Sequence, residues 1–215
     1  MTIRAVVFDV GETLIDETAA WGSWADAMGI PRLTFFAVLG AIVARGGHHI
    51  EVFSTFRPGI DLRAALAEQA AAGTTYVMGA ADLYPDVEPC LRALDDAGYR
   101  IVVAGNQPAR TAGALEALKL PIHAVATSES LGVEKPDPRF FARAAELTGA
   151  AAAEVAYVGD RLDNDVGPAA AAGMVAIFIR RGPWGWIQAP NGTPAGAAAA
   201  IDSLAELPRV LATLR

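Results

Sequence analysis

Three aspartates and one lysine stand where this chain could do chemistry. Asp9 closes an apolar run, Ile3-Arg4-Ala5-Val6-Val7-Phe8, whose β-branched and aromatic residues suit a buried strand. Asp160 closes a second run, Val155-Ala156-Tyr157-Val158-Gly159, and Asp165 follows shortly after it. A third run, Arg100-Ile101-Val102-Val103-Ala104, ends in Gly105-Asn106. Lys135 lies in the loop-like segment Gly132-Val133-Glu134-Lys135-Pro136-Asp137-Pro138; with Lys119 it is one of two lysines, against fifteen arginines. In open α/β sheets ligands bind at the carboxyl ends of strands. An acid held there is rigid, and the small polar loop after Asp9, Val10-Gly11-Glu12-Thr13, has backbone amides that can cradle an anion. Carboxylates at the ends of separate strands can also meet across a sheet edge and bind a hard cation. An isolated strand-end aspartate is often only a turn or cap residue, and an isolated lysine is usually solvated. Several such features at successive strand ends weigh against that reading.

The elements that position these residues can be read from periodicity and punctuation. Between Asp16 and Asp96 the pattern is helical. One helix over Glu17–Met28 is closed by Gly29, and a second, Arg32–Ala44, opens at Pro31. An alanine-leucine helix runs from Asp61 to near Gly73, and another from Asp86 to Ala97 ends at Gly98. From Tyr99 on, strands and helices alternate: Tyr99–Ala104, Gln107–Leu118, Ile122–Ala126, Pro138–Thr148, Glu154–Val158, Asn164–Ala172 and Met174–Ile179. Alternation of this kind predicts a parallel sheet with helices on both faces. Asn106 reads as an N-cap for the helix that follows it. Arg180 to Gly196, rich in Gly and Pro, reads as a long loop, and Ser203-Leu204-Ala205-Glu206 is a capping box opening a last helix.

The four segments resemble, in order, the motifs of the haloacid dehalogenase superfamily of hydrolases, over residues 3 to about 179. The resemblance implies an α/β fold: a Rossmann-like parallel sheet core over 1–15 and 85–215, with a small helical cap domain over 16–84. It implies a phosphatase-type hydrolase acting on a small phosphorylated molecule. Asp9 would be the nucleophile that forms an aspartyl phosphate, and Lys135 would neutralise charge between Asp9 and the phosphate. Asn106 joins them as a catalytic residue, and Gly105, Asn106, Lys135 and Thr13 as substrate-binding ones. The metal would be Mg2+, held by the side chains of Asp9 and Asp160 and the backbone carbonyl of Gly11, with Asp165 orienting the ligands.

Two positions depart from the family pattern. Most of its phosphatases carry a second aspartate, the general acid/base, where this chain has Gly11; a hydroxyl residue is usual where it has Gly105. A positioned general acid contributes roughly 10²–10⁴-fold, so weak or restricted turnover is expected. Glu12 is the nearest carboxylate in sequence, and orientation to solvent is the expectation for it. The alternative reading is a non-catalytic relative that binds a phosphorylated ligand or a protein partner. Phosphonate cleavage needs a cap lysine, and residues 16 to 84 contain none. Haloacid dehalogenases carry an aromatic residue at the position of Gly11, so that chemistry ranks lower, although Arg32, Arg45, Arg57 and Arg63 could bind a carboxylate.

Composition bounds the rest. The 215 residues are ample for a buried core. A net charge of −7 and a pI of about 4.9 disfavour nucleic acid and anionic membrane as partners. The single cysteine, Cys90, permits no internal disulfide and reads as a packed thiol. No signal-peptide pattern is evident at the start, and the apolar run Leu33 to Ala44 is too short to span a bilayer. A cytoplasmic protein is expected. A homodimer stays open, with Trp184 and Trp186 readable as loop packing, site lining or a contact with a second copy.

Overall fold

The computed structural model describes residues 2–214. They form two compact units: the stretch ending at Asp16 together with that from Gly79 onward, and Glu17–Met78. The sequence places the second crossing near residue 84. Gly79–Tyr84 groups instead with the first unit, because it runs beside the outgoing chain: Asp16 N donates to Asp82 O at 2.8 Å, and Tyr84 N to Leu14 O at 3.1 Å.

The first unit is built on a six-stranded sheet in the order β3-β2-β1-β4-β5-β6, parallel throughout. The strands are β1 Ala5–Phe8, β2 Arg100–Gly105, β3 Ala124–Thr127, β4 Val155–Gly159, β5 Val175–Ile179 and β6 Ala199–Ile201. The helices around it are α5 Val87–Asp96, α6 Arg110–Ala117, α7 Ser128–Leu131, α8 Pro138–Thr148, α9 Gly167–Ala171, α10 Gly182–Gln188 and α11 Leu207–Thr213. Every residue of β1 and β4 is buried, as expected of parallel strands covered on both faces. Ala5, Val7, Val102, Ala104, Val155 and Tyr157 form one face of the core with Phe140, Phe141 and Ala144 of α8. Their alternates Val6, Phe8, Ile101 and Val103 are buried on the other face. Truncating Phe140 to Ala would cost about 3–5 kcal/mol, a large share of a domain's net stability. Helix α5 buries Leu91, Leu94 and the Cys90 thiol, and packs on β2 and on α11.

Three sequence expectations need correction here. Arg180 to Gly196 is not all loop: α10 forms within it, started by Pro183 and anchored by buried Trp184, while Trp186 is exposed. The sheet also gains β6, which the alanine-rich stretch before Ile201 concealed. Helix α6 starts only at Arg110, so Asn106 does not cap it.

The second unit contains α1 Thr18–Ala27, α2 Arg32–Ala44, α3 Glu51–Phe56 and α4 Leu62–Ala71. Its centre is aromatic: Phe35 stacks on Phe56 with ring centroids 5.8 Å apart, and Trp24 meets Phe53 edge-on at 4.8 Å. The Asp61 carboxylate caps α4 by accepting from Arg63 N and Ala64 N. Among the described residues no single helix is long and apolar enough to cross a membrane.

Candidate active site

In β1, Phe8 lies opposite Val103 of β2 and Val158 of β4. The residues that follow these strands, Asp9, Asn106 and Asp160, therefore leave the sheet at the same edge. Lys135 reaches this edge from the loop before α8. Its Nζ donates to Asp9 Oδ1 and to Asp165 Oδ1, both at 2.6 Å. One oxygen from each of Asp9, Asp160 and Asp165 lies within 4.8 Å of the others, and all three residues are buried. Asp163 is not in this group; its carboxylate binds Arg161 and Gln188.

Each group is held by a specific feature of the chain. Asn106 does not face the group as a free donor: its side-chain amide binds both the carbonyl and the N–H of Lys135, at 2.9 and 2.7 Å. Asp165 Oδ2 accepts from Arg161 N at 3.1 Å, and Tyr157 Oη lies 3.3 Å from its Oδ1. Three glycines leave room for three carboxylates. A Cβ on Gly105 would stand 2.9 Å from Asp9 Oδ1, one on Gly159 2.5 Å from Asp165 Cγ, and one on Gly182 2.4 Å from Glu12 Cγ.

Glu12 corrects the sequence reading. It does not point to solvent: it is 5% exposed, and Tyr84 Oη donates to its Oε2 at 2.5 Å. Its backbone is left-handed, φ 52, which is unusual for a residue with a Cβ. Thr13 is wholly buried; its hydroxyl has no partner among the described residues, and its carbonyl accepts from Arg181. Gly11 pairs through its backbone with Ile15.

The electrostatics follow from burial of like charges. Burial pushes the Asp160 carboxyl well above its usual range, and the charges of Asp165, Asp9 and Glu12 add to this. Burial also lifts Asp165, to about 6, against the opposing pull of Lys135. For Lys135, burial would lower the ammonium, but Asp165 and Asp9 outweigh it and raise the pKa. Burial and the hydrogen bond to Glu12 raise the Tyr84 phenol. One lysine thus stands among four acids, Asp9, Glu12, Asp160 and Asp165. Asp160 Oδ2 is buried without a partner among the described residues. An all-oxygen donor set with an orphaned carboxylate oxygen and surplus negative charge fits a hard divalent cation such as Mg2+.

The sequence missed Tyr84, Arg181 and Tyr157 as neighbours of this group. Tyr84 and Arg181 carry no motif signal, and only the fold brings them here, whereas Tyr157 lies in the run that Asp160 closes, shortly before Asp165.

The chain belongs to the haloacid dehalogenase-like hydrolase family, which it matches over residues 3–173. It is 34% identical to a phosphoglycolate phosphatase of Cupriavidus necator, over 98% of this chain and 94% of that one. It is 41% identical to a glyceraldehyde 3-phosphate phosphatase of Methanopyrus kandleri, but that match spans only 47% of this chain and 45% of the relative. Among solved structures, the HAD-hydrolase YfnB of Bacillus subtilis, determined with magnesium bound, shares the fold with a TM-score of 0.73 at 19% identity. That likeness covers 98% of this chain and 99% of YfnB. With these relatives the chain is a hydrolase of phosphatase type.

Proposed function

We infer that this hydrolase cleaves the phosphate ester of a small metabolite through an aspartyl phosphate on Asp9, with activity restricted by Gly11 and Gly105. The observation that carries this reading is the strand-end carboxylate of Asp9 beside the buried ammonium of Lys135, 2.6 Å away. The phosphatase relatives support a small phosphate ester as the substrate class. A carboxylate oxygen of Asp9 bonds to phosphorus while the P–O bond to the leaving group breaks. Water then attacks the phosphoryl group and frees Asp9. Lys135 pairs with the Asp9 carboxylate and offsets charge on the phosphoryl oxygens. Asp9, Asp160 and the Gly11 carbonyl would hold Mg2+, with Asp165 orienting them. When bound, the ion supplies positive charge for the phosphoryl oxygens.

Proton transfer is the weak point. Gly11 offers no side chain, so an alkoxide leaving group has no acid at the usual place. The inward carboxylate of Glu12 is the group in the same loop that can carry a proton. Glu17–Met78, inserted between β1 and β2, takes the sequence position of the family's cap, whose service is to select substrate and exclude water.

The test is turnover of a panel of aryl, acyl and alkyl phosphates with Mg2+, with Asp9→Asn alongside. Hydrolysis of aryl or acyl phosphates, abolished in Asp9→Asn, supports the reading. Phosphate binding without turnover in the wild type would favour a non-catalytic binder.

A further inference from the structure

Arg181 follows β5, and its guanidinium is buried, the side chain 8% exposed. Each arm has its own partner. Nη1 donates to the Thr13 carbonyl at 2.9 Å, and Nη2 pairs with Asp86. The guanidinium also lies over the Tyr84 ring, 4.2 Å from its centroid, and Tyr84 holds Glu12 through its hydroxyl. Asp86 is itself fixed by Ser203 Oγ at 2.6 Å and Leu204 N at 2.9 Å. One cation therefore tethers two successive residues of the loop after Asp9: Thr13 directly and Glu12 through Tyr84. The loop needs such a tether, because the left-handed backbone of Glu12 persists only where its surroundings over-determine it. The next residue, Gly182, completes the fit by leaving the space that the Glu12 side chain fills.

We propose that Arg181 is a positioning residue: it sets the loop from Val10 to Asp16 so that Glu12 and Thr13 are presented beside Asp9. The catalytic part of this rests on the reading of Asp9 as nucleophile; the tether itself does not. Lysine cannot replace it, since a point charge can satisfy Asp86 but cannot fork to the Thr13 carbonyl and stack on Tyr84 at once.

The test compares Arg181→Lys, which keeps a charge on Asp86, with Tyr84→Phe, which keeps the ring and removes the hydroxyl. Two readouts are taken on the full chain with Mg2+: amide hydrogen exchange, and steady-state kinetics on an alkyl phosphate, whose leaving group needs the proton that Glu12 would supply. In Arg181→Lys, exchange at residues 12–15 should rise while the amides of β1, β2 and β4 stay as they are. kcat should fall roughly 10–100-fold, the scale of a small misplacement, with KM little changed. The double variant should lose less than the product of the single losses, since both act through Glu12. An even rise in exchange across the sheet, unchanged loop exchange, or multiplicative kinetics would overturn the proposal. Should the wild type hydrolyse no phosphate ester, the functional reading falls, and the exchange pattern alone then decides the tether.

Discussion

Asn106 and Lys135 are joined by two hydrogen bonds that run in opposite directions, Asn106 Nδ2 to the Lys135 carbonyl and Lys135 N to Asn106 Oδ1. The amide at the end of β2 thereby fixes the main chain under the lysine that bridges Asp9 and Asp165. Asparagine suits this place because it offers a donor and an acceptor on one short, stiff side chain.

Asn106→Ala removes both bonds, each contributing about 0.5–1.5 kcal/mol. A drop of several degrees in melting temperature is expected, with a fall in kcat of about tenfold or more from the loosened lysine. Asn106→Asp keeps the acceptor for Lys135 N but sets a carboxylate oxygen against the Lys135 carbonyl, so it should not restore the stability lost in Asn106→Ala. Thermal denaturation and steady-state kinetics on the same samples check both. An Asn106→Ala protein with wild-type kcat would mean that Lys135 is placed without it.

Much of this was legible in the sequence. The parallel sheet followed from buried apolar runs, such as Ala5–Phe8 and Val155–Gly159, alternating with helices, and α2 and α8 have the bounds that Pro31 and Asp137-Pro138 announce. Asp9, Lys135, Asp160 and Asp165 could be named because each sits at a strand end or in a motif loop. What failed has two physical causes: a distant contact outweighed the local signal, or residues that open a helix were read as ending one. Asn106 looked like a helix cap because the residue that engages it is 29 positions away. Glu12 looked solvated because nothing near it in sequence shows Tyr84, 72 positions on, or the missing Cβ of Gly182. Helix α10 was hidden by Gly182 and Pro183, which read as breakers yet serve as its first turn.

Gly105 yields a prediction opposite to the family pattern. Restoring a hydroxyl with Gly105→Ser would be expected to add a hydrogen bond to the phosphate. The structure leaves no room for it: the new Cβ would meet Asp9 Oδ1 and Val10 Cγ2, both at 2.9 Å. Asp9 is the short side chain held by Lys135, so it would have to turn away from its ion pair. Gly105→Ser and Gly105→Ala should both lower aryl-phosphate turnover, and by similar amounts. A gain in the serine variant would show that the strand end adjusts.

The raised carboxyls make the metal-free protein sensitive to pH in the less common direction. Asp165, lifted to about 6, and Asp160, lifted well above its usual range, keep their protons in the fold where the unfolded chain has released them. The folded state then binds more protons, so stability falls as pH rises from the ordinary carboxyl value of 3.8 through about 6. Below that window the penalty is absent. In EDTA, Asp160→Asn should therefore melt higher than the wild type at about pH 7 and nearly level with it at about pH 4. Mg2+ should raise the wild-type melting temperature at neutral pH, since it binds only the fold, and should do little for Asp160→Asn. Equal metal effects on the two proteins would count against Asp160 as a ligand.

The last prediction separates the two carboxylate positions of the loop. Aryl and acyl phosphates expel leaving groups that need no proton, whereas alkyl phosphates need an acid. If Glu12 supplies it, Glu12→Gln should leave aryl-phosphate formation of the phospho-enzyme nearly intact and depress alkyl-phosphate turnover by roughly 10²–10⁴-fold. The glutamine still accepts from Tyr84 Oη, so the loop keeps its tether and the loss reports the proton alone. Gly11→Asp should then raise alkyl-phosphate turnover in the Glu12→Gln background by a similar factor, and less in the wild type, where Glu12 already serves. Rates measured across leaving groups of graded pKa give the result directly. A wild type already steep in leaving-group pKa, with Glu12→Gln unchanged, would mean that Glu12 is structural and that the chain works without an acid.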